Sequence, residues 1–315
     1  MMKIKNIKYV LFIAAFLLSA SVKAQQDPQF THYMYNMNVI NPAYATDNEG
    51  VINLGGIYRT QWVGAVGAPK TASVFAHAPI AKNVEMGLAF VNDNIGDVVK
   101  ENNINADFAY VLPISNSTKI SFGVKGGVTF FDTDFSGFRY TDVQADPAFE
   151  QNITKTFPTV GAGTFLFSDK YYIGLSVPNM LKTKYIEKDG FRSTGVEEMH
   201  FYLTGGYVFD LSPNLKFKPA FMAKGVTGAP LSLDVTANVL FNNFIEGGLA
   251  YRLDDSVAGL VNFYITPNLR VGYSYDYTLS RFQQYNSGTH EIFVLFDLDL
   301  SNLKSKGYDK SPRFF

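Results

Sequence analysis

Between residues 50 and 299 the sequence changes character at every second position, and this period of two limits the fold more than any other feature. In residues 84–91, Val84, Met86, Leu88 and Phe90 alternate with Glu85, Gly87, Ala89 and Val91. In 119–130, Ile120, Phe122, Val124, Val128 and Phe130 alternate with Ser121, Gly123, Lys125, Gly127 and Thr129. The same pattern recurs in 230–241 and in 268–278. A period of two sends successive side chains to opposite faces of a strand. Fourteen segments follow it: 50–60, 70–79, 84–93, 102–113, 118–131, 156–168, 170–178, 198–210, 214–225, 230–241, 244–253, 256–265, 268–279 and 289–299. Amphipathic stretches of helical period are nearly absent after residue 46.

The connections sort by parity. After even-numbered strands they are short and rich in turn formers, as in Ala81-Lys82-Asn83, Ser115-Asn116-Ser117, Asn242-Asn243 and Thr266-Pro267. After odd-numbered strands several are long: 61–69, 94–101, 132–155, 179–197 and 280–288. A soluble β-sandwich has no reason to sort its loops this way, whereas an outer-membrane barrel has short periplasmic turns and longer outer loops. Aromatics near strand ends point the same way, as membrane girdles: Tyr171 and Tyr172, Tyr273, Tyr275 and Tyr277, Phe241 and Phe244. The expected fold is all-β: a transmembrane antiparallel up-and-down barrel of about 14 strands with periplasmic N- and C-terminal segments. A soluble, exported all-β core is the competing expectation.

Export is written in the first 24 residues. Lys3, Lys5 and Lys8 precede an apolar run over 9–22, and Val22-Lys23-Ala24 places small residues for cleavage before Gln25. The apolar run is shorter than the roughly 20 residues a spanning helix needs. The leader carries four Lys and no acid, so its removal takes the formal net charge from −1 to −5. The expected organisation is a signal peptide over 1–24, a periplasmic segment over 25–49, the barrel over 50–299 and a periplasmic tail over 300–315.

Composition removes several chemistries. There is no Cys, which excludes disulfides, Cys-ligated metals, a Cys nucleophile and an acylated N-terminal Cys. With 17% charged against 47% apolar residues the chain is not disordered, and a net charge near zero argues against nucleic acid as a partner. His32, His77, His200 and His290 have no paired metal-ligand spacing, there is no G-x-S-x-G, and Asp132-Thr133-Asp134 lacks the rest of a calcium loop. The expectation is a non-enzyme with no catalytic, cofactor or metal residues.

Parity does gather ionisable groups on the polar face: Arg59, Glu85, Lys125, Asp234, Glu246, Arg252, Arg270, Asp276 and Glu291, with Lys216, Lys218 and Lys224. A lipid-facing charge at mid-depth costs about 2–4 kcal/mol, so in a barrel these would line the lumen. They form either an ion-pair network that closes it or the lining of a pore. The interspersed signs favour the network.

Certain blocks go further. The segment Gln25–Ala45 (QQDPQFTHYMYNMNVINPAYA), Tyr58-Arg59-Thr60-Gln61-Trp62 and Gly67-Ala68-Pro69-Lys70-Thr71 resemble PorP/SprF-type membrane proteins of the type IX secretion system. So do the block from Phe157 to Val177, the run GYSYDYT over 272–278, Ser287-Gly288-Thr289-His290-Glu291-Ile292 and the terminal Ser311-Pro312-Arg313-Phe314-Phe315. The resemblance implies an accessory barrel in the outer membrane of a Gram-negative bacterium. It would bind, anchor or aid export of a client protein, a gliding adhesin among the candidates, and contact the secretion machinery. The implied partners are outer-membrane lipid, a secreted client with a C-terminal sorting domain, and periplasmic lipoprotein components. The alternative is an outer-membrane diffusion channel or uptake porin.

Three segments then carry the expected contacts. The first is Gln25–Tyr44, with Asp27, Pro28, Tyr33, Asn41 and Pro42, expected to plug the lumen, brace the barrel or dock a partner. The second is the outer loops, especially 132–155 and 179–197; Trp62, in the block after the first strand that carries the resemblance, is a further docking residue the resemblance implies. The third is the tail, where Pro312, Arg313, Phe314 and Phe315 read as a periplasmic docking or assembly peptide. The terminal Phe lies well past the last strand, unlike a barrel that ends on its closing aromatic.

Overall fold

A computed structural model of the chain describes residues 28–48, 50–96, 98–136, 152–184 and 196–300. The wall strands are β1 (Val51–Thr60), β2 (Lys70–Ala81), β3 (Val84–Ile95), β4 (Val99–Pro113), β5 (Thr118–Thr133), β6 (Thr154–Ser168) and β7 (Tyr171–Val177). A two-stranded piece, β8 (Thr183–Lys184) with β9 (Val196–Glu197), stands outside the wall. The wall resumes with β10 (His200–Tyr207), β11 (Phe209–Ser212), β12 (Leu215–Val226), β13 (Ser232–Phe241), β14 (Ile245–Arg252), β15 (Ser256–Thr266), β16 (Leu269–Thr278) and β17 (Thr289–Asp299).

Each wall strand pairs antiparallel with its sequence neighbour, and β17 pairs back onto β1 from Val51↔Asp299 to Thr60↔His290. Both β10 and β11 pair with β12, so they form one wall strand broken at Val208. The wall is therefore a closed barrel of 14 strands among the described residues, as the sequence pattern implied. Closure leaves no unpaired sheet edge, which is the condition for β-structure in a lipid core.

Side-chain direction follows parity. Leu88, Phe122, Val124, Leu175 and Leu249 stand outward and exposed, while Glu85, Asp107, Ser121, Lys125 and Asn238 point inward and are buried. An outward aromatic belt marks one rim: Tyr171 stacks on Tyr207 at 6.4 Å, Tyr207 meets Phe209 at 4.5 Å, and Phe244 meets Phe263 at 6.3 Å. Tyr172, expected in that girdle, turns inward instead, packing on Phe165 at 5.6 Å, because its neighbour Tyr171 takes the outward parity.

The short turns cluster at one mouth, here the turn mouth. Asn242 and Asn243 adopt left-handed φ of 53° and 50°, which Asn tolerates better than most residues and which tight hairpins require. The opposite, loop mouth carries 61–69 and 279–288 and, among the described residues, the ends of the connections that follow β5 and β7. One expected long loop is short: β3 and β4 run to Ile95 and from Val99, so only 96–98 separates them, where the sequence pattern suggested 94–101. The polar ladder Asn92, Asn94, Asn102 and Asn103 does not alternate in hydrophobicity, yet it continues the hairpin through side-chain hydrogen bonds such as Asn92 to Asn102 at 2.7 Å.

The segment before β1 is not a separate appendage. Residues 30–46 lie within the barrel, with Tyr33, Met34, Tyr35, Ala43 and Ala45 at 0–1% exposure. A 3₁₀ turn, η1 (Tyr33–Tyr35), and one turn of helix, α1 (Met37–Ile40), form its middle. With Phe75, Phe165, Phe167, Phe293 and Leu295 from the wall it makes the hydrophobic core of the molecule.

Candidate functional site: the occupied barrel interior

This plug is fastened at three levels, each by wall residues of inward parity. At the loop mouth, Thr31 donates its backbone N–H to Glu291 at 3.0 Å and its hydroxyl to Asp276 at 2.7 Å. His32 donates its backbone N–H to Glu291 at 2.7 Å, and its Nδ1 lies 2.8 Å from the same carboxylate oxygen. Arg59 reaches across from β1 to both acids, Asp276 at 2.8 Å and Glu291 at 3.0 Å, and to the Thr31 hydroxyl at 2.9 Å. Burying such charges is costly unless they are paired and hydrogen-bonded, and here each is.

At mid-depth, Lys125 donates to the carbonyls of Val39 at 2.9 Å and Asn38 at 3.3 Å, and Ser176 donates to that of Ile40 at 2.9 Å. These are the carbonyls a short helix leaves without internal partners, and a cation there also suits the negative end of the helix. Lys125 in turn sits 3.5 Å from Asp107 on β4. On the other side, Tyr35 donates its hydroxyl to Glu246, which also accepts from Asn238 at 2.7 Å. The Tyr35 ring stacks on Phe293 at 4.8 Å, with the Lys218 ammonium 5.1 Å from its centre.

At the turn mouth, Glu85 accepts from the backbone N–H groups of Thr46 at 2.9 Å and Asp47 at 2.5 Å, with His77 at 3.4 Å. Asp47 pairs with Lys119.

Close contact between plug and wall uses glycine. A Cβ at Gly123 would collide with the backbone of Pro42 and Ala43, and one at Gly163 with the Asn41 side chain. Gly174 faces Asn41 as well. The Asn41-Pro42-Ala43 bend thus rests on a glycine patch across β5, β6 and β7, where the side chain of Ser121 donates to the Ala43 carbonyl and Asn41 donates to the Thr164 carbonyl at 3.1 Å.

Against the expected residues, Arg59, Glu85, Lys125, Glu246, Asp276 and Glu291 lie buried inside the barrel and touch the plug or its fastenings. Asp234 and Arg252 face inward as a bidentate pair, at 2.8 and 2.9 Å. Arg270 lies over Tyr264 at 4.4 Å and 3.9 Å from Asp297. Tyr33, Asn41 and Pro42, expected as docking residues, face the barrel wall, so their motif is met within the chain. Pro28 and Trp62 stand at the loop mouth, where Trp62 packs edge-on against Phe282 at 4.8 Å. Asp27, Pro312, Arg313, Phe314 and Phe315 lie outside the described residues, as do parts of loops 132–155 and 179–197. At the described root of the first of these loops, hydrogen bonds from Ser136 hold the Asp134 carboxyl below the usual carboxylate range.

Thr31 and His32 are not among the residues that the sequence pattern assigns to the lumen. His32 was weighed only as a metal ligand, and no cluster of potential metal-binding side chains exists among the described residues. The available signal was the coincidence of buried acids on the wall with donors in one polar-aromatic segment.

No curated protein matches the chain. Among solved structures, it resembles a FadL homologue of Pseudomonas aeruginosa at TM-score 0.49 and 10% identity, covering 89% of this chain and 96% of that one. It also resembles Omp33 of Acinetobacter baumannii at TM-score 0.43 and 9% identity, covering 80% and 98%. A deletion mutant of the monoaromatic hydrocarbon channel TodX matches at TM-score 0.49 and 11% identity, covering 83% and 93%. A family model describing the type IX secretion system membrane protein PorP/SprF matches residues 22–296, and the chain belongs to that family.

Proposed function

We propose that this barrel is an accessory component of type IX secretion, seated in the outer membrane of a Gram-negative bacterium, that binds and anchors a secreted client at the cell surface or aids its export. The observation that carries this reading is the occupied interior. Plug side chains and paired wall charges fill the space a conducting channel would use, so the binding surfaces are the two mouths. The long loops face outward and hold the client by its C-terminal sorting domain, a gliding adhesin being one candidate. Loops vary without disturbing the strands that support them, which suits client-specific members of one family.

The turn mouth faces the periplasm in this reading. Leu300 leaves the wall there, its N–H bonded to the Gly50 carbonyl at 2.7 Å. The tail that follows, ending in Pro312-Arg313-Phe314-Phe315, then reaches periplasmic lipoprotein components of the machinery. The role is binding and positioning rather than catalysis. Affinity purification of the tagged full chain from mild detergent extracts of its native membranes tests it. A stoichiometric secreted protein with a C-terminal sorting domain is the expected companion. Recovery of the barrel alone from cells that are actively secreting would overturn the proposal.

A further inference from the structure

The loop mouth opens into a cup. Its cavity has a volume of about 430 Å³ and is bounded by four hairpins and the start of the plug, through residues that include Gln29, Trp62, Asp93, Pro230, Arg252 and Asp255. That volume lies within the roughly 300–1,000 Å³ of sites that hold small ligands.

Two parts of the cup are fixed in place. Trp62 sits at a left-handed φ of 47°, unusual for a bulky residue. Its N–H donates to the Thr289 hydroxyl at 3.0 Å, its carbonyl accepts from the Ala65 N–H at 3.0 Å, and its ring packs on Phe282. In the β14–β15 turn, Asp255 donates its N–H to the Arg252 carbonyl at 3.1 Å, and its own carbonyl accepts from the Leu279 N–H at 2.7 Å. Groups held this way lose little freedom when a partner binds.

The charge in the cup is lopsided. Arg252 is gripped by both oxygens of Asp234, at 2.8 and 2.9 Å. Its contact with Asp255 is longer, at 3.5 Å, and the Asp255 side chain is 34% exposed. Asp93 is buried and accepts from the Thr71 hydroxyl at 2.6 Å. Among the described residues, these three carboxylates thus accompany one guanidinium. The rest of the cup is largely apolar. The loop over 61–69 carries no charge, and Val66, Leu231, Leu253 and Tyr285 stand exposed around the mouth. Apolar side chains gathered at a water-facing rim mark a surface that a partner covers.

We propose that this cup takes a basic side chain, lysine or arginine, presented by a partner protein between apolar residues. The cation answers the excess of carboxylate and meets the ring of Trp62, while its neighbours cover the apolar rim. A carboxylate or phosphate would meet the same acids and find the one guanidinium already paired. This deepens the client-holding role proposed above, on which it rests, by naming the chemistry through which the loop mouth grips that client.

Trp62 is the single Trp of the chain, so its fluorescence reads the filling of the cup directly. The purified full chain in detergent is titrated with the capped tripeptide Ac-Leu-Arg-Leu-NH2 and with its neutral match Ac-Leu-Gln-Leu-NH2. The cationic peptide is expected to change the Trp62 emission saturably and to bind about tenfold or more tightly than the neutral one, the scale of one hydrogen bond to a charged group. Asp255→Asn and Asp93→Asn remove charge at constant size, and the second keeps an acceptor for Thr71. Each is expected to raise the Kd of the cationic peptide several-fold and to leave that of the neutral one unchanged. Equal binding of the two peptides, no saturable response to the cationic one, or an unchanged Kd in a folded variant would overturn the proposal. Folding of each variant is checked first by heat-dependent gel migration, and where Asp93→Asn fails that check, Asp255→Asn decides alone. The titration contains no client, so the two failures are distinguishable. A cup that binds the cation while no client co-purifies sinks the client role alone. A client that co-purifies with a barrel whose Trp62 ignores the cationic peptide sinks this inference alone.

Discussion

Asn41 of the plug sits on Gly163 of β6: its amide oxygen occupies the position that a Cβ at residue 163 would need. Next to it, Pro42 and Ala43 lie against Gly123 of β5 at the same closeness, but there it is backbone that blocks the Cβ. A flexible side chain can shift, whereas a backbone held at both ends has less room. The Asn-Pro-Ala bend and the wall glycines are thus two halves of one contact.

Gly123→Val is expected to push the bend off the wall. Overpacking of a filled interior costs about 1–3 kcal/mol, and here it also strands the hydrogen bond from Ser121 to the Ala43 carbonyl. Gly126→Val is the control, since a Cβ there meets nothing within 4 Å. Thermal unfolding followed by gel migration should show a lowered transition for the first and a near-native one for the second. Equal behaviour of the two would show that the bend is not seated as described.

The two classes of ion pair should differ sharply. Glu291→Ala removes the acceptor of Thr31, His32 and Arg59 together and leaves a buried guanidinium with Asp276 as its remaining counter-charge. Breaking a buried pair in this way costs about 3–5 kcal/mol. Lys170→Ala breaks a pair with Asp210 whose side chains are about half exposed, where solvent screens the attraction and such contacts contribute little. Denaturant titration of the purified barrel compares them directly, and the first variant should lose several times more stability than the second.

Lys125 and Asp107 should be coupled. Lys125→Met strips the helix carbonyls of their donor and leaves Asp107 as a buried charge without its cation. Adding Asp107→Asn removes that stranded charge. The double variant is therefore expected to be more stable than Lys125→Met alone, with a coupling of about 0.5–3 kcal/mol in a double-mutant cycle. Additive losses would mean that the two groups act separately.

Much of the wall was legible because a strand's period of two is local. Glu85, Lys125 and Asp276 declare their inward direction through their immediate neighbours. The path of the plug was not legible, because it depends on contacts across up to 260 positions, such as Thr31 with Glu291, and the segment has no period of its own. Gly123 and Gly163 resembled ordinary small residues on a polar face, since their meaning lies in what rests on them. Tyr172 was placed outside because an aromatic near a strand end fits a girdle, and parity with Tyr171 decides otherwise. The β3–β4 hairpin looked shorter than it is, because its upper part is held by Asn side chains and carries no hydrophobic alternation.

In the proposed role the chain, which fills its own barrel, acts through its mouths. Single-channel recording of the purified full chain in planar bilayers tests it most directly, with a variant lacking residues 30–45 for comparison. No steady conductance is expected from the full chain, and stable open events are expected from the shortened one. A steady open conductance from the full chain would contradict it.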